Sequence, residues 1–228
     1  MSYTVKHGVY YLDERLSALE KKILDENCKF LEARHLKYLA IPSTMNWLTY
    51  HRQELNLTVP ILGIDHVHAL TGSAEQGILE RFADQEVQPA VYYARNQCFR
   101  NESEYLDLYR VREFIKVEQY CFCTEDKWYQ NFYMLLNNAT EFMDLLDIKY
   151  RVVDVTDRDP GYHIKKYDIE IETKQFGWME THSCSYFGTE QSKRFNITGA
   201  NHTISNTGIA SPRILIPFIE DENKSVTF

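Results

Sequence analysis

Charged side chains in one segment of the chain are spaced as they would be in a binding site for a charged ligand. In Cys98-Phe-Arg100-Asn-Glu102 an arginine and a glutamate stand two residues apart, so on a strand both would face one side of a sheet. A returning strand would add Arg110, Arg112 and Glu118 to that face. Such a face either is solvated, as charged strand residues usually are, or holds a charged ligand.

Arg213 presents the same choice. Near a helix start, its planar guanidinium could orient a phosphate, or it could be an ordinary surface cation. His163, His182 and His202 are scattered among strands and loops, which favours satisfied or exposed rings over a metal site. The chain has no GxGxxG, P-loop, nucleophile elbow or HExxH motif, which argues against the chemistries that use them.

The cysteines are odd in number and follow no CxxC spacing, which is typical of a reducing compartment. On a strand, Cys121 and Cys123 would face one side and could hold a metal, but two ligands without a nearby histidine make a weak site. Ordinary strand cysteines without a metal are the favoured interpretation. The five cysteines are Cys28, Cys98, Cys121, Cys123 and Cys184.

Two amphipathic helices and a series of strands must position these side chains. Apolar residues at helical spacing predict helices over 12–36 and 128–146. Runs rich in β-branched and aromatic residues predict strands at 38–42, 90–94, 113–123, 150–155, 167–172 and 177–181. The second and third of these strands would form an antiparallel hairpin.

The last predicted element begins near Thr207 and runs to Ile219. Pro212 can occupy the first turn of a helix, whereas Pro217 is expected to kink or end it. The order of elements predicts an α+β fold, an antiparallel sheet flanked by helices, in a single domain over 1–228.

Composition limits the classes of function. With 33 Asp and Glu against 25 Lys and Arg, the net charge of −8 has the wrong sign for a general nucleic-acid binder. No stretch approaches the roughly 18 consecutive apolar residues of a membrane span, and no apolar signal core follows the N-terminus. We therefore expect a cytoplasmic protein without a membrane partner.

Taken together, these segments resemble the catalytic core of the seryl-tRNA synthetases, a family of class II aminoacyl-tRNA synthetases. The most specific signal is Cys98-Phe-Arg100-Asn-Glu102 followed by Arg110-Val-Arg-Glu-Phe114-Ile-Lys-Val-Glu118, similar to the second motif, CFR-x-E, a loop, then RVHQF-x-KVE. The stretch from His202 to Arg213 is similar to the third motif, HTLNGSGLAVGR, without a gap.

Other segments match in the same order along the chain. Residues 12–42 resemble the first motif, which in that family forms the dimer interface, so the resemblance implies a homodimer. Thr71-Gly-Ser-Ala-Glu75 is similar to the Thr-Ala-Glu segment, with Ser73 in place of the threonine. Further parallels are Tyr150-Arg-Val-Val153 with YRVV, Tyr167-Asp-Ile-Glu170 with YDLE and Glu180-Thr-His-Ser-Cys-Ser-Tyr-Phe187 with EISSCSNF.

The resemblance implies a role for each matching residue. Arg100 and Arg213 are the catalytic residues: Arg100 holds the ATP α-phosphate and the substrate carboxylate, and Arg213 the γ-phosphate of a bent ATP. Phe114 stacks under the adenine, and Glu102 accepts from its amino group. The implied ATP ligands are Arg100, Glu102, Arg110, Phe114, Glu180, Ser183 and Arg213; the amino-acid ligands are Ser73, Glu75, Arg100, Glu118, Ser205 and Thr207; and Glu180 and Ser183 coordinate Mg²⁺ with ATP.

Departures from the family pattern bear on the acceptor. The family's N-terminal tRNA-binding arm has no counterpart, and the loop 103–109 is shorter than the loop that reaches the tRNA acceptor end. Both departures, with the negative charge, make tRNA an unfavoured partner. The chain thus resembles freestanding homologues that transfer a small amino acid to a carrier-protein thiol, with which we associate the RxREF form of 110–114.

Further departures bear on the metal and the substrate. Ser183-Cys-Ser follows the zinc-free form of the family, so no zinc is predicted. Ser205 replaces the third-motif asparagine and Tyr186 replaces the asparagine of SSCSN. A shifted alignment would let Asn206 act for the missing asparagine.

The favoured hypothesis is an ATP-dependent ligase that forms an aminoacyl adenylate from a small amino acid, serine first and glycine, alanine or threonine after it. The adenylate would pass to a carrier-protein thiol or a small metabolite. Two alternatives stay open: a minimal tRNA-aminoacylating enzyme, and a non-catalytic dimeric paralogue that binds a nucleotide or a partner. Loss of a glycine at Asn206 favours the paralogue, because a side chain there could block the backbone's approach to a ligand. A structural α+β domain with an incidental charged face is the least favoured hypothesis.

Overall fold

The computed structural model describes residues 2–53, 60–226 and 228. Its helices are α1 (Glu14–Ala33), α2 (Trp47–Gln53), α3 (Ala74–Phe82), α4 (Trp128–Leu145), α5 (Glu190–Arg194) and α6 (Ile216–Glu220). Its strands are β1 (Tyr3–Lys6), β2 (Val9–Leu12), β3 (Lys37–Tyr38), β4 (Thr44–Asn46), β5 (His68–Leu70), β6 (Glu86–Val87), β7 (Ala90–Phe99), β8 (Glu113–Cys123), β9 (Tyr150–Asp154), β10 (Lys165–Thr173), β11 (Gly177–Gly188), β12 (Thr198–Gly199) and β13 (His202–Ser211).

A seven-stranded sheet forms the centre of the fold, in the order β3-β7-β8-β13-β11-β10-β9. Its neighbours pair antiparallel except for β3 and β7, which run parallel at one edge. Helices α1 and α4 pack on one face of the sheet. The predicted α+β class, an antiparallel sheet flanked by helices, is confirmed.

Side-chain alternation along the central strands separates the two faces of the sheet. On β8, Val117, Cys121 and Cys123 belong to the large core beneath α1 and α4, whereas Tyr120 and Phe122 belong to a smaller core under α3. The face that α4 leaves uncovered carries the polar side chains of β8, β11 and β13. Because successive side chains of a strand point to opposite faces, each central strand contributes alternate side chains to the core beneath α1 and α4 and to the opposite face, where a site could form.

Local sequence explains where the long helices start. Asp13 precedes α1, and its Oδ1 accepts a hydrogen bond of 2.8 Å from the backbone N–H of Leu16. At the start of α3, Gln76 Oε1 accepts from the backbone N–H groups of Gly72 and Ser73, at 2.7 and 3.2 Å. These contacts satisfy backbone donors at the helix starts, and the second one fixes Ser73 as the N-cap of α3 with Glu75 in its first turn.

Both long helices and the 90–123 hairpin are where the sequence predicts them, but other elements differ. Of the extended run expected over 38–42, only Tyr38 belongs to a strand, β3, and the strands expected at 90–94 and 177–181 extend to 99 and 188. The stretch from Thr207 belongs to β13, inside the sheet, so a helix does not begin there. Pro217 lies in the first turn of α6, where its missing N–H costs nothing, and the expectation that it would kink or end a helix is wrong.

No described helix has both the length and the apolar character needed to cross a membrane. The five cysteines are free. Cys121 and Cys123 lie on the α4 side of β8, both buried.

Candidate active site

A cavity of about 680 Å³ lies on the sheet face opposite α4, a size within the usual range for ligand sites. Its wall is formed by the segment that follows β7, the start of β8, the strands β11 and β13 and the start of α3. Eleven of the twelve site residues expected from the sequence line it: Ser73, Glu75, Arg100, Glu102, Arg110, Phe114, Glu180, Ser183, Ser205, Thr207 and Arg213. The twelfth, Glu118, is fully buried directly beneath.

Arg100 lies just beyond the end of β7, which stops at Phe99. The expectation that Arg100 and Glu102 are strand residues is therefore wrong, although both still face the cavity. Arg100 Nε donates to the carbonyl oxygen of Gly72 at 3.1 Å, and its guanidinium carbon lies 5.1 Å from the centre of the Phe114 ring. Burial, followed by the charge of Arg213, lowers the pKa of Arg100 from its ordinary value.

Arg213 opens a short 3₁₀ turn immediately after β13. Its Nε donates to the carbonyl oxygen of Tyr109 at 2.8 Å, and one terminal nitrogen donates to that of Glu180 at 3.0 Å. The Tyr109 ring lies 4.5 Å below the guanidinium carbon. These contacts fix the plane of the guanidinium and leave donors free for a ligand.

Within the described residues, no carboxylate lies within 4.0 Å of either guanidinium. Two cations, one after β7 and one after β13, thus face one cavity without a carboxylate partner among the described residues. Buried charges are normally paired, so this arrangement indicates an anionic ligand.

A pair of carboxylates occupies the far end of the cavity. Glu118 accepts a hydrogen bond of 2.7 Å from the hydroxyl of Ser205, lies 3.4 Å from that of Ser73 and forms an ion pair with Lys116. The sequence interpretation did not assign a role to Lys116. The strand period could have found it, since Lys116 stands two residues from both Phe114 and Glu118 on β8.

Glu75 is the second of these carboxylates. Its Oε1 accepts from the side-chain amides of Gln53 and Gln191, at 2.5 and 3.0 Å. Burial and then the negative charge of Glu118 raise the pKa of Glu75. Gln53 was not expected at the site from the sequence, and no local motif marks it.

Glu180 and Ser183 present oxygen atoms to the cavity next to Arg213. A register shift between Ile169 and Glu170 on β10 brings both of these β11 residues to the cavity face. No three His, Cys, Asp or Glu side chains among the described residues group closely enough to hold a metal by themselves. A divalent cation here would need ligand oxygens as well, as Mg²⁺ has in nucleotide sites.

Asp168 lies beside this pair, 9% exposed. Burial and then the charge of Glu180 raise its pKa to about 6.

Two substitutions that bear on the substrate lie outside the cavity. Tyr186 faces α4, where its ring stacks on Trp128 with centres 4.3 Å apart and its hydroxyl lies 2.6 Å from His202 Nδ1. Asn206 is fully buried and donates to the carbonyl oxygen of Leu135 in α4 at 2.5 Å. The shifted alignment that gives Asn206 a ligand role is wrong, because Ser205 faces the cavity and Asn206 faces the other side of β13.

A segment not expected from the sequence also lines the cavity. It comprises residues 159–163, with Lys166 beyond them. Lys166 forms an ion pair with Asp159, and His163 Nε2 lies 3.0 Å from the carbonyl oxygen of Thr156. This segment borders the end of the cavity that contains Ser185 and Ser205, because Lys166 is the register partner of Ser185.

Comparison with known proteins gives consistent matches. The family model of the tRNA synthetase class II core domain (G, H, P, S and T) matches residues 63–215. The serine–tRNA ligase of Deinococcus radiodurans is 35% identical over 181 residues, which cover 68% of this chain and 42% of that protein. The serine–tRNA ligase of Pyrococcus furiosus is 31% identical over 173 residues, covering 69% and 37%. The chain thus spans about two fifths of the length of these curated relatives.

Among solved structures, seryl-tRNA synthetase from Pyrococcus horikoshii complexed with ATP superposes with a TM-score of 0.86 at 24% identity. The superposition covers 94% of this chain and 53% of that one. At this level of identity the likeness shows the fold.

Proposed function

The chain belongs to the tRNA synthetase class II core domain family, and from this premise we propose that it uses ATP to activate a small amino acid, serine first, as an aminoacyl adenylate. The observation that carries the proposal is the pair of guanidiniums, Arg100 and Arg213, that face one cavity without a carboxylate partner. A nucleoside triphosphate supplies the matching negative charge. The cavity also offers Phe114 as an aromatic surface for a base and Glu102 as an acceptor for its amino group.

In this mechanism the protein positions two anions against each other. Arg100 holds the substrate carboxylate and the α-phosphate, while Arg213 and Arg110 hold the outer phosphates. A carboxylate oxygen attacks the α-phosphorus, and the bond to the β-phosphate bridging oxygen breaks to release pyrophosphate. The carboxylate is already a nucleophile, so no general base is needed, and catalysis consists of alignment and charge stabilisation.

At the other end of the cavity, Glu75 and Glu118 provide negative charge for the substrate ammonium, and Ser73, Ser205 and Thr207 provide hydroxyls for a small polar side chain. Lys116 already neutralises part of this charge. With two carboxylates and one ammonium, this end keeps a net charge of about −1, which suits a substrate cation.

Glu180 and Ser183 are the residues that would hold Mg²⁺ with the nucleotide. Their hard oxygens suit that ion, which when bound neutralises phosphate charge. The remaining charge of the triphosphate is met by Arg110 and Arg213.

For the acceptor we propose a carrier-protein thiol or a small metabolite. The loop 103–109 is short, and the net charge of −8 disfavours a polyanion. A second candidate is aminoacylation of tRNA, which the names of the curated relatives favour.

The test is amino-acid-dependent exchange of pyrophosphate into ATP, measured across the twenty amino acids. We expect exchange with one small amino acid and a loss of about 100-fold or more in Arg100→Ala and in Arg213→Ala, as when one preorganised donor to the reacting centre is removed. Arg95→Ala is the matched control, because Arg95 lies on β7, the strand that Arg100 follows, but pairs with Asp25 of α1 and does not line the cavity. Folded protein that binds ATP but exchanges with no amino acid would instead indicate the non-catalytic paralogue.

A further inference from the structure

Asp168 is the buried carboxylate near the cavity that the proposed mechanism does not use. It is 9% exposed, and its Oδ1 has no hydrogen-bond partner. No cation among the described residues lies within 4.0 Å of it. A buried carboxylate oxygen without a hydrogen-bond partner costs free energy, so its presence calls for a ligand or a neighbour that the carboxylate serves.

Its neighbours on β10 are engaged elsewhere. Lys166, two residues earlier on the same face, forms an ion pair with Asp159. Glu170, two residues later, accepts from Arg151 Nε at 2.6 Å at the sheet edge. Lys166 therefore acts on Asp168 only as a nearby charge and not as an ion-pair partner, and Glu170 adds a second negative charge.

The sheet register places Asp168 directly opposite Ser183 on β11. Opposite residues of an antiparallel pair point to the same face with Cβ atoms about 5 Å apart. Ser183 faces the cavity, and Glu180 reaches the same region through the register shift beside Ile169. The carboxylate of Asp168 thus lies behind the two side chains that present oxygen to the nucleotide end.

We propose that Asp168 is a positioning residue for the divalent cation that binds with ATP. It accepts the hydroxyl hydrogen of Ser183, so that the lone pairs of the Ser183 oxygen point into the cavity, and it adds negative charge behind Glu180. A serine hydroxyl has one hydrogen to donate and two lone pairs, and it can ligate a cation only with the hydrogen turned away. This inference rests on the proposed function, since it assumes that a nucleotide brings the cation to Glu180 and Ser183.

The test uses Mn²⁺ as the probe and α,β-methylene ATP as a nucleotide that cannot react. Electron paramagnetic resonance measures free Mn²⁺ and gives its affinity for the protein–nucleotide complex without any turnover. Asp168→Asn is expected to weaken that affinity 10- to 100-fold, which is about the effect of losing a partner behind a metal ligand. Asp154→Asn is the matched control, because Asp154 is an exposed carboxylate on the neighbouring strand with Thr156 as its partner.

A double-mutant cycle separates positioning from a general structural effect. If Asp168 acts through Ser183, Asp168→Asn will weaken Mn²⁺ binding less in the Ser183→Ala variant than in the wild type, and the loss that remains will be that of the negative charge behind Glu180. Additive losses, or an Asp168→Asn affinity within twofold of the wild type, would overturn the inference.

Thermal unfolding without ligands tests whether a loss of Mn²⁺ affinity arises from misfolding of the variant. Asp168→Asn should be at least as stable as the wild type, because it removes an unpaired buried charge. Asp168→Ser provides a second variant with the same expected loss of Mn²⁺ affinity. A wild-type protein that binds no nucleotide would overturn the proposed function and this inference together, whereas nucleotide binding with no effect of Asp168 overturns only the inference.

Discussion

Two acidic side chains, Glu75 and Glu118, lie at one end of the cavity, and their environments differ. Glu118 forms an ion pair with Lys116, whereas Glu75 accepts hydrogen bonds from the neutral side-chain amides of Gln53 and Gln191. Burial and the neighbouring charge of Glu118 raise the pKa of Glu75. Glu75 is therefore the group that most needs a substrate ammonium.

We predict that Glu75→Gln stabilises the unliganded protein and weakens amino-acid binding. When folding raises the pKa of an acid, the free energy of unfolding of the protein falls as the pH rises from the unfolded-state pKa of that acid through its folded-state pKa. The gain from Glu75→Gln should thus be absent near pH 4 and present at pH 8. Chemical unfolding at both pH values measures this difference.

Calorimetry with the amino acid should show roughly 10- to 100-fold weaker binding in the same variant, the effect of removing a hydrogen bond to a charged group. Glu86→Gln is the control, because Glu86 is exposed and its carboxylate remains in water in both states. Equal stabilisation at pH 4 and pH 8 would contradict the assignment of Glu75.

At the residue scale, most of the residues that line the cavity were expected from the resemblance to a known family, because its motifs match this chain residue by residue. Ser205 and Asn206 show the limit of this prediction. The match to the third motif left open which of the two residues takes the place of the family's asparagine. Adjacent strand residues face opposite sides, and the register of β13 with β8 and β11 places Ser205, not Asn206, on the cavity face. Likewise, Tyr186 packs against Trp128 of α4 and does not line the cavity. Gln53 and the segment 159–163 could not be predicted, because tertiary packing alone brings them to the cavity.

At the scale of elements, the hairpin of β1 and β2 holds the loop that carries Tyr109 and Arg110. The backbone N–H of Arg112 donates to the carbonyl oxygen of Gly8 at 2.7 Å, and the Tyr3 hydroxyl donates to Asp107 at 2.8 Å. Since Tyr109 accepts from Arg213, the hairpin fixes the nucleotide end of the cavity indirectly.

We predict that Gly8→Ala raises the KM for ATP by about tenfold or more and leaves the KM for the amino acid unchanged. Gly8 has φ +78°, and a Cβ there would overlap the Tyr105 ring and displace the loop. Small displacements of positioning groups have large kinetic effects. Pyrophosphate exchange at varied ATP and amino acid gives both constants.

Gly177→Ala is the matched control. Gly177 has a similar φ of +65°, but no atom lies within 4 Å of its Cβ position. Both variants carry the same backbone strain, about 1–2 kcal/mol. Equal changes in the KM for ATP would show that strain, rather than the loop, causes the effect.

The elements themselves were predictable where local patterns are strong. Helical spacing over 12–36 and 128–146 identified α1 and α4 to within three residues. The stretch from Thr207 lacks the alternation of a half-buried strand, because β13 lies in the middle of the sheet and is buried on both faces. The homodimer stays a prediction.

At the scale of the whole molecule, net charge is the feature that distinguishes the possible acceptors. A tRNA brings a polyanion, and its binding would need clusters of free cations. Arg112, next to the loop that would meet it, is bonded to Tyr105 at 2.8 Å, and the loop is held against the hairpin. A carrier-protein thiol or a small metabolite needs only access to the cavity.

We predict that a preformed adenylate passes to a phosphopantetheine thiol and not to tRNA. In the experiment, the complex of the enzyme with labelled seryl adenylate is isolated and then mixed with a carrier protein, with free pantetheine or with tRNA. Rapid quench measures how fast the label leaves the enzyme and which acceptor receives it. Transfer to the thiols should be at least about tenfold faster than the loss of label in buffer. Adding tRNA should leave the rate of label loss unchanged at both about 50 and about 200 mM salt. If the protein did bind tRNA through phosphate contacts, transfer to tRNA would be seen at the lower salt concentration and would fall steeply at the higher one. Salt-sensitive transfer to tRNA would contradict the prediction and assign the chain the activity that its relatives' names carry.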